Sequence, residues 1–199
     1  MSRKSLDTRK RILDTTWKLL ETEPEKAVRM ADIAKAAGLT RQALYLHFPK
    51  RSDLMIATVR HLDEVYDVDT RLIPSRTASS GRERLAAFIE AWGNYIPLIY
   101  GVAKALMAMK DTDADVNAAW TDRMTAVRHG CAAAVNAIEV DGALPRSLTP
   151  DEATDILWAL LSISTWEQLT QTSGWSQDAY LKHMTSLAHT ALIRPEAIT

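Results

Sequence analysis

The sequence predicts an all-α protein of about nine helices, a three-helix unit at the N-terminus followed by a larger helical part. Three observations predict it. Apolar residues recur at helical spacing along almost all of the 199 residues, with no sustained alternation of the kind a half-buried strand requires. Capping residues, a glycine and two prolines punctuate the first 50 residues. The stretch VDTRLIPSRTASSG, residues 68–81, is rich in Pro, Ser, Thr and Gly and reads as a connection between two parts.

The elements follow in order. Ile12, Leu13, Trp17 and Leu20 share one face of a first helix over residues 9–22, with Thr8 as its cap. Met30 to Ala37 forms a short second helix that ends at Gly38, which tolerates the left-handed conformation of a helix C-terminus. Thr40 caps a third helix through Leu46, and Pro49 interrupts the pattern. A fourth helix runs from Arg51 to the region of Tyr66, carrying Leu54, Met55, Val59 and Leu62. Beyond the connection, Leu85, Phe88, Ile89 and Trp92 mark a fifth helix, and a shorter sixth begins near Pro97 with Val102, Leu106 and Met109. A long seventh, Val116 to Ile138, stops near Asp141 and Gly142. Thr149, Pro150 and Glu152 form a capping box with proline at the first helical position and open an eighth helix to about Gln171. Ser176 caps a ninth, with Tyr180, Met184, Leu187 and Ala191 on one face, until Pro195.

Composition narrows the function classes. A chain 47% hydrophobic and 25% charged is an ordinary globular one. Its longest stretch without Lys, Arg, Asp or Glu, Ala91 to Ala103, is shorter than the roughly 20 residues of a membrane span and holds Pro97. The basic start MSRKSLDTRKRIL has no apolar segment behind it, so no secretory signal is expected. A single cysteine, Cys131, excludes an internal disulfide and fits a reducing cytoplasm. The formal net charge of −1 hides an asymmetry: residues 1–60 hold 13 Lys/Arg against 7 Asp/Glu, the remainder 11 against 18. A basic third joined to an acidic remainder points to a polyanion-binding module with a partner of different role.

Two short helices joined by a Gly-containing turn, the second capped by Thr40, make a helix-turn-helix, which lays its second helix in the DNA major groove. The segment ADIAKAAGLTRQALYLHFPKRSDL, Ala31 to Leu54, resembles the DNA-binding signature of the TetR family of transcriptional regulators. It shares the glycine, the polar cap, the Tyr-x-His-Phe ending and the Lys/Arg before the next helix. TRKRILDTTWKLL, Thr8 to Leu20, is similar to that family's first helix. Side-chain chemistry agrees. Arg41 and Gln42 start the recognition helix and can make bidentate contacts, Arg to guanine and Gln to adenine. Ala43 offers a methyl for thymine, and Tyr45 reaches a phosphate. His47, Lys50 and Arg51 surround the free amides at the start of the fourth helix, where an anion is favoured. Leu44, Phe48, Ile33 and Ala34 are a miniature core, and His47 is open to a packing or capping role. The sequence departs from the family in two ways: Arg29 and Met30 occupy the region of the usual Ser or Thr cap of the second helix, and Ala31 stands where an arginine is common. Arg29 is therefore the candidate for the missing backbone contact.

The resemblance fades beyond about residue 60. It implies residues 1–50 as the DNA-binding domain and 51–199 as a ligand-binding and dimerisation domain, the fourth helix connecting them. It also implies a helical cavity for a small, largely hydrophobic or aromatic effector, and a homodimer through the eighth and ninth helices. Candidate lining residues are Leu62, Tyr66, Trp92, Tyr95, Tyr100, Met107, Trp120, Met124, Trp158, Ser162 and Trp166, most of them an aromatic and thioether stock whose commoner individual role is core packing. Candidate interface residues are Leu160, Leu161, Leu181, Met184 and Leu187. The expected partners are a palindromic double-stranded operator, the effector and a second copy, with repression as the family default. No cofactor or metal is expected. An enzyme reading finds no constellation: His129 and Cys131, two apart, diverge on a helix, and neither His61 with Glu64 nor His183 with His189 has zinc spacing. The remaining alternative is a helical ligand-binding or protein-interaction module, which salt-dependent retention on DNA would separate.

Overall fold

The computed structural model describes residues 3–22 and 28–195, and all regular structure among them is helical. Helix α1 is Arg3–Thr22, α2 Met30–Ala36, α3 Arg41–His47 and α4 Arg51–Val65. Two short helices, α5 (Val68–Arg71) and α6 (Ile73–Arg76), precede the long α7 (Gly81–Met109) and α8 (Ala114–Val140). Then come α9 (Pro150–Leu160), α10 (Ile163–Glu167) with a π-helical turn Gln168–Thr172, and α11 (Gln177–Leu192).

The chain divides into two compact units, 1–66 with 99–124, and 67–98 with 125–199. The expected boundary after Lys50 differs from this division because α4 packs with the first unit: Leu54, Met55, Val59 and Leu62 share a core with Ile12, Leu20, Ile33, Leu44 and Phe48. The C-terminal half of α7 and the start of α8 complete that core with Val102, Ala105, Leu106, Met109, Val116 and Ala119. Two hydroxyls are buried in it, and each is satisfied within its own helix, Thr16 donating to Ile12 O and Thr58 to Leu54 O, both at 2.8 Å.

The second unit is built on Leu85, Phe88, Ile89, Trp92 and Ile96 of α7 with Cys131, Val135 and Ile138 of α8. Leu157 and Leu161 with Ile163, Trp166, Tyr180, Met184 and Leu192 close it. The Cys131 thiol, buried in this core, is pushed up to about 12, so it stays protonated and inert.

Four local expectations differ from the observed elements. Helix α1 begins at Arg3, and Thr8 lies inside it with its hydroxyl donating back to Lys4 O at 2.9 Å. The 68–81 connection holds α5 and α6 instead of being plain loop, with Pro74 in the first turn of α6. The fifth and sixth predicted helices are one continuous α7 with Pro97 inside. Proline has no N–H for the carbonyl four residues back, that of Gly93. Gln177 Nε2 donates to that carbonyl at 2.9 Å, while Gln177 Oε1 accepts from Trp166 Nε1 at 3.0 Å. Finally, the eighth predicted helix breaks at Leu161, and Ser162 in extended backbone recaps the chain by accepting from Thr165 N.

Candidate nucleic-acid interface

Local chemistry sets α3. Thr40 is extended, and its hydroxyl accepts from Ala43 N at 3.1 Å, so the cap places the first turn. Gly38, at φ +66, makes the turn from α2. Leu44 and Phe48 anchor one side of α3 in the core. The opposite side carries Arg41, Gln42, Tyr45 and Leu46, all exposed. At 100° per residue these four form one face, with Tyr45 a turn beyond Arg41 and Leu46 a turn beyond Gln42.

Arg9 of α1 fixes the other end of α3. Its guanidinium donates to His47 O at 3.0 Å and lies 4.0 Å from the centroid of the buried Phe48 ring. A cation at a helix C-terminus meets the free carbonyls there, and stacking on the ring holds the arginine in place. No local pattern points to Arg9, whose partner is 38 residues away. Leu46 was within reach of the pattern, since it follows from Gln42 by one helical turn.

The other DNA candidates are placed as follows. Ala43 and His47 are half-buried, and Arg29 and Lys50, the extended residues before α2 and α4, are exposed. Arg51 is held elsewhere: Nε donates to Val28 O at 2.9 Å, and one terminal nitrogen meets Asp113 at 2.8 Å and Asp115 at 3.3 Å. Burial disfavours its charge, but the two carboxylates outweigh burial and its pKa lies above the ordinary value. Asp113 is correspondingly held below the usual carboxylate range by the Arg51 hydrogen bond, despite partial burial. A second ionic tie joins α4 to α8, Arg60 with Asp122 and Arg123 with Asp63, while Arg123 also meets its neighbour Asp122 within α8. Arg60 is exposed, so its tie contributes little.

The eleven lining candidates divide between the units. Leu62, Tyr66, Tyr100, Met107, Trp120 and Met124 belong to the first, and Trp92, Tyr95, Trp158, Ser162 and Trp166 to the second. Leu62 is core, and Tyr66 meets the edge of the Trp17 ring at 5.7 Å between centroids. In the second unit Trp92 Nε1 donates to Leu161 O at 2.8 Å, Trp166 Nε1 donates to Gln177, and Ser162 caps α10. These three hold the fold together. Tyr95 is buried and tilted against Trp92, and Trp158 is half-buried. The Tyr180 hydroxyl, missed by the sequence reading, is buried without a hydrogen-bond partner among the described residues, and burial raises its pKa. A groove of about 720 Å³ lies in the first unit against α1 and α4, lined by Leu6, Lys10, Ile56, Ala57 and His61 among others and by none of the eleven.

Of the interface candidates, Leu161 and Met184 are buried within the protomer, Leu160 and Leu181 are half-buried, and Leu187 is 49% exposed. Among the described residues no helix is long and apolar enough to cross a membrane.

A helix-turn-helix whose second helix bares Arg, Gln and Tyr on one face, backed by its own small core, has the form in which proteins present a helix to the DNA major groove. Residues 12–58 match the family of bacterial regulatory proteins, tetR family. The match falls on the helix-turn-helix and the start of α4, the segment that carries that family's DNA-binding part. The chain is 27% identical over 151 residues to the HTH-type transcriptional regulator EthR of Mycobacterium tuberculosis, covering 73% of this chain and 68% of that one. Two solved structures share its fold. A putative transcriptional regulator from Saccharomonospora viridis, in complex with choline, superposes with a TM-score of 0.73 at 21% identity, over 95% of this chain and 99% of that one. NalD, the secondary repressor of the MexAB-OprM multidrug efflux pump in Pseudomonas aeruginosa, does so with 0.72 at 20%, over 98% and 100%.

Proposed function

We propose that this transcriptional regulator is a cytoplasmic homodimeric repressor that occupies a palindromic operator and leaves it when a small, largely apolar effector enters its helical C-terminal part. The observation that carries the DNA half is the single face of α3 on which Arg41, Gln42 and Tyr45 stand exposed while Leu44 and Phe48 anchor the helix from behind. Arg41 and Gln42 read base edges, and Tyr45, Lys50 and Arg29 hold phosphates. Thr40 serves as the cap, Ala43 and His47 flank the contact, and Arg51 anchors α4 through Val28 and Asp113.

Repression is supported by the likeness to NalD, and an effector by the choline complex of the Saccharomonospora regulator. The effector site is proposed in the second unit around Tyr95, Trp158 and Tyr180. There the buried, unpartnered phenol offers a donor that an otherwise apolar ligand would satisfy. The dimer is proposed through the segment from α9 to α11, with Leu187 and Leu160 on the isologous face and Leu161 and Met184 supporting it from within.

Binding to duplexes selected from a random pool tests the DNA half. Arg41→Ala or Gln42→Ala should relax base preference and cost about 1–3 kcal/mol, whereas Lys50→Ala should weaken all duplexes alike and reduce the salt slope by about 1. Unaltered selectivity in both Arg41→Ala and Gln42→Ala would remove these residues from the interface.

A further inference from the structure

Leu46 is 82% exposed, and it lies on the recognition helix between Tyr45 and the half-buried His47. A single exposed leucine on an arbitrary surface carries no message. This one stands one helical turn beyond Gln42, on the same face as Arg41, Gln42 and Tyr45. Arg9 and Phe48 fix the end of this helix, and helical spacing puts position 46 on the face that carries the base-reading residues.

We propose that Leu46 reads thymine, packing its methyl groups against the 5-methyl of one thymine in each operator half-site. The inference rests on the operator-binding reading above and adds an apolar specificity contact to it. The chemistry is selective: in the major groove only thymine presents a methyl group, while the other three bases present hydrogen-bonding edges there. A leucine facing cytosine N4 or adenine N6 would strip water from a polar group and return no hydrogen bond. Facing a thymine methyl, it removes two apolar surfaces from water together. A longer polar residue at 46 would instead reach a phosphate or a polar base edge, so leucine here commits the helix to thymine at that step.

The test replaces the base atom before the protein. Duplexes are selected from a random pool with the wild-type chain, and an enriched duplex is resynthesised with deoxyuridine at each thymine in turn, which deletes only the 5-methyl group. Binding should fall about fourfold per half-site at one thymine, the value expected for one buried methyl-sized group, and stay unchanged at the others. Leu46→Ala should bind the thymine and uracil forms equally, near the wild-type level on the uracil form. Lys50→Ala should keep the full thymine preference while binding both forms more weakly. Circular dichroism of Leu46→Ala should match the wild type, and the uracil scan on the wild-type chain needs no variant at all. Wild-type binding that is strongly salt-dependent yet indifferent to every uracil overturns the methyl contact and leaves operator binding intact. A thymine preference that survives in Leu46→Ala assigns the methyl to another side chain and overturns it too. Absence of salt-dependent binding to any duplex overturns both readings.

Discussion

Gln177 is the side chain on which the continuity of α7 depends, and its removal has a magnitude that follows from the structure. Gln177→Leu keeps the volume and deletes both hydrogen bonds, leaving Gly93 O and Trp166 Nε1 without those partners. Gly93 is buried and Trp166 is 4% exposed, so water reaches neither easily. An unsatisfied buried polar group costs about 1–3 kcal/mol, so stranding Gly93 O alone should destabilise the fold by about that much, with the lost indole hydrogen bond adding to it. The decisive arm is a double-mutant cycle. Pro97→Ala restores an N–H within reach of Gly93 O, so in that background Gln177→Leu removes only the hydrogen bond to the indole. The penalty should shrink by about 1–2 kcal/mol, which is the coupling between residues 97 and 177. Urea unfolding followed by circular dichroism at fixed protein concentration measures all four corners, fixed because a dimer's midpoint depends on concentration. A Gln177→Leu penalty that is equal with proline and with alanine at 97 would refute the assignment of Gln177 as the partner of the proline-orphaned carbonyl.

Two further perturbations follow. Because Arg51 holds the Asp113 pKa below its unfolded value, the pair's stabilisation is present above the ordinary carboxylate pKa and disappears as pH falls through the folded one. Asp113→Asn should therefore lower the melting temperature at pH 7 and converge on the wild type in acid, and a constant difference between pH 7 and pH 3 would contradict it. Gly81→Ala should destabilise by about 1–3 kcal/mol or more, since a Cβ there meets the backbone N and Cα of Ile138, which cannot rotate aside. Gly93→Ala clashes with the end of the Leu181 side chain, which can move, and otherwise meets the Tyr180 ring at ordinary contact distance, so it should cost less, and thermal unfolding of the two variants ranks them.

What was legible in the sequence was local. The caps at Thr40, Thr149 and Ser176 are each written within three residues, and each is present, Thr149 with the full reciprocal box to Glu152. The face of α3 was legible too, because its core residues and its exposed residues alternate at helical spacing. Pro97 was not. A proline at the start of a helix and one inside it look alike from neighbouring residues, and what decides between them here is a glutamine 84 residues from the carbonyl it rescues. Arg51 was misleading for the same reason. A basic residue at the start of a helix beside a recognition helix suggests a phosphate, and the carboxylate that holds it lies 62 residues on. Ser162 looked like a polar group for a ligand and is a cap, because the break at Leu161 that requires a cap has no glycine or proline to announce it.

The division of α7 and α8 bears on how an effector signal would reach DNA. Each helix contributes buried residues to both cores: α7 gives Leu85, Ile89 and Ile96 to the second unit and Val102, Leu106 and Met109 to the first. α8 gives Val116 and Ala119 to the first and Val135 and Ile138 to the second. The start of α8 is also where Asp113 and Asp115 hold Arg51, the first residue of α4, whose next turn packs Leu54 beneath the recognition helix. A displacement of α8 therefore acts on α4 through an ion pair as well as through the core. Arg51→Met would cut the ion pair while keeping the packing. If the pair carries part of the coupling, this variant should bind DNA with the effector's influence reduced, and by reciprocity DNA's influence on effector affinity should fall by the same factor.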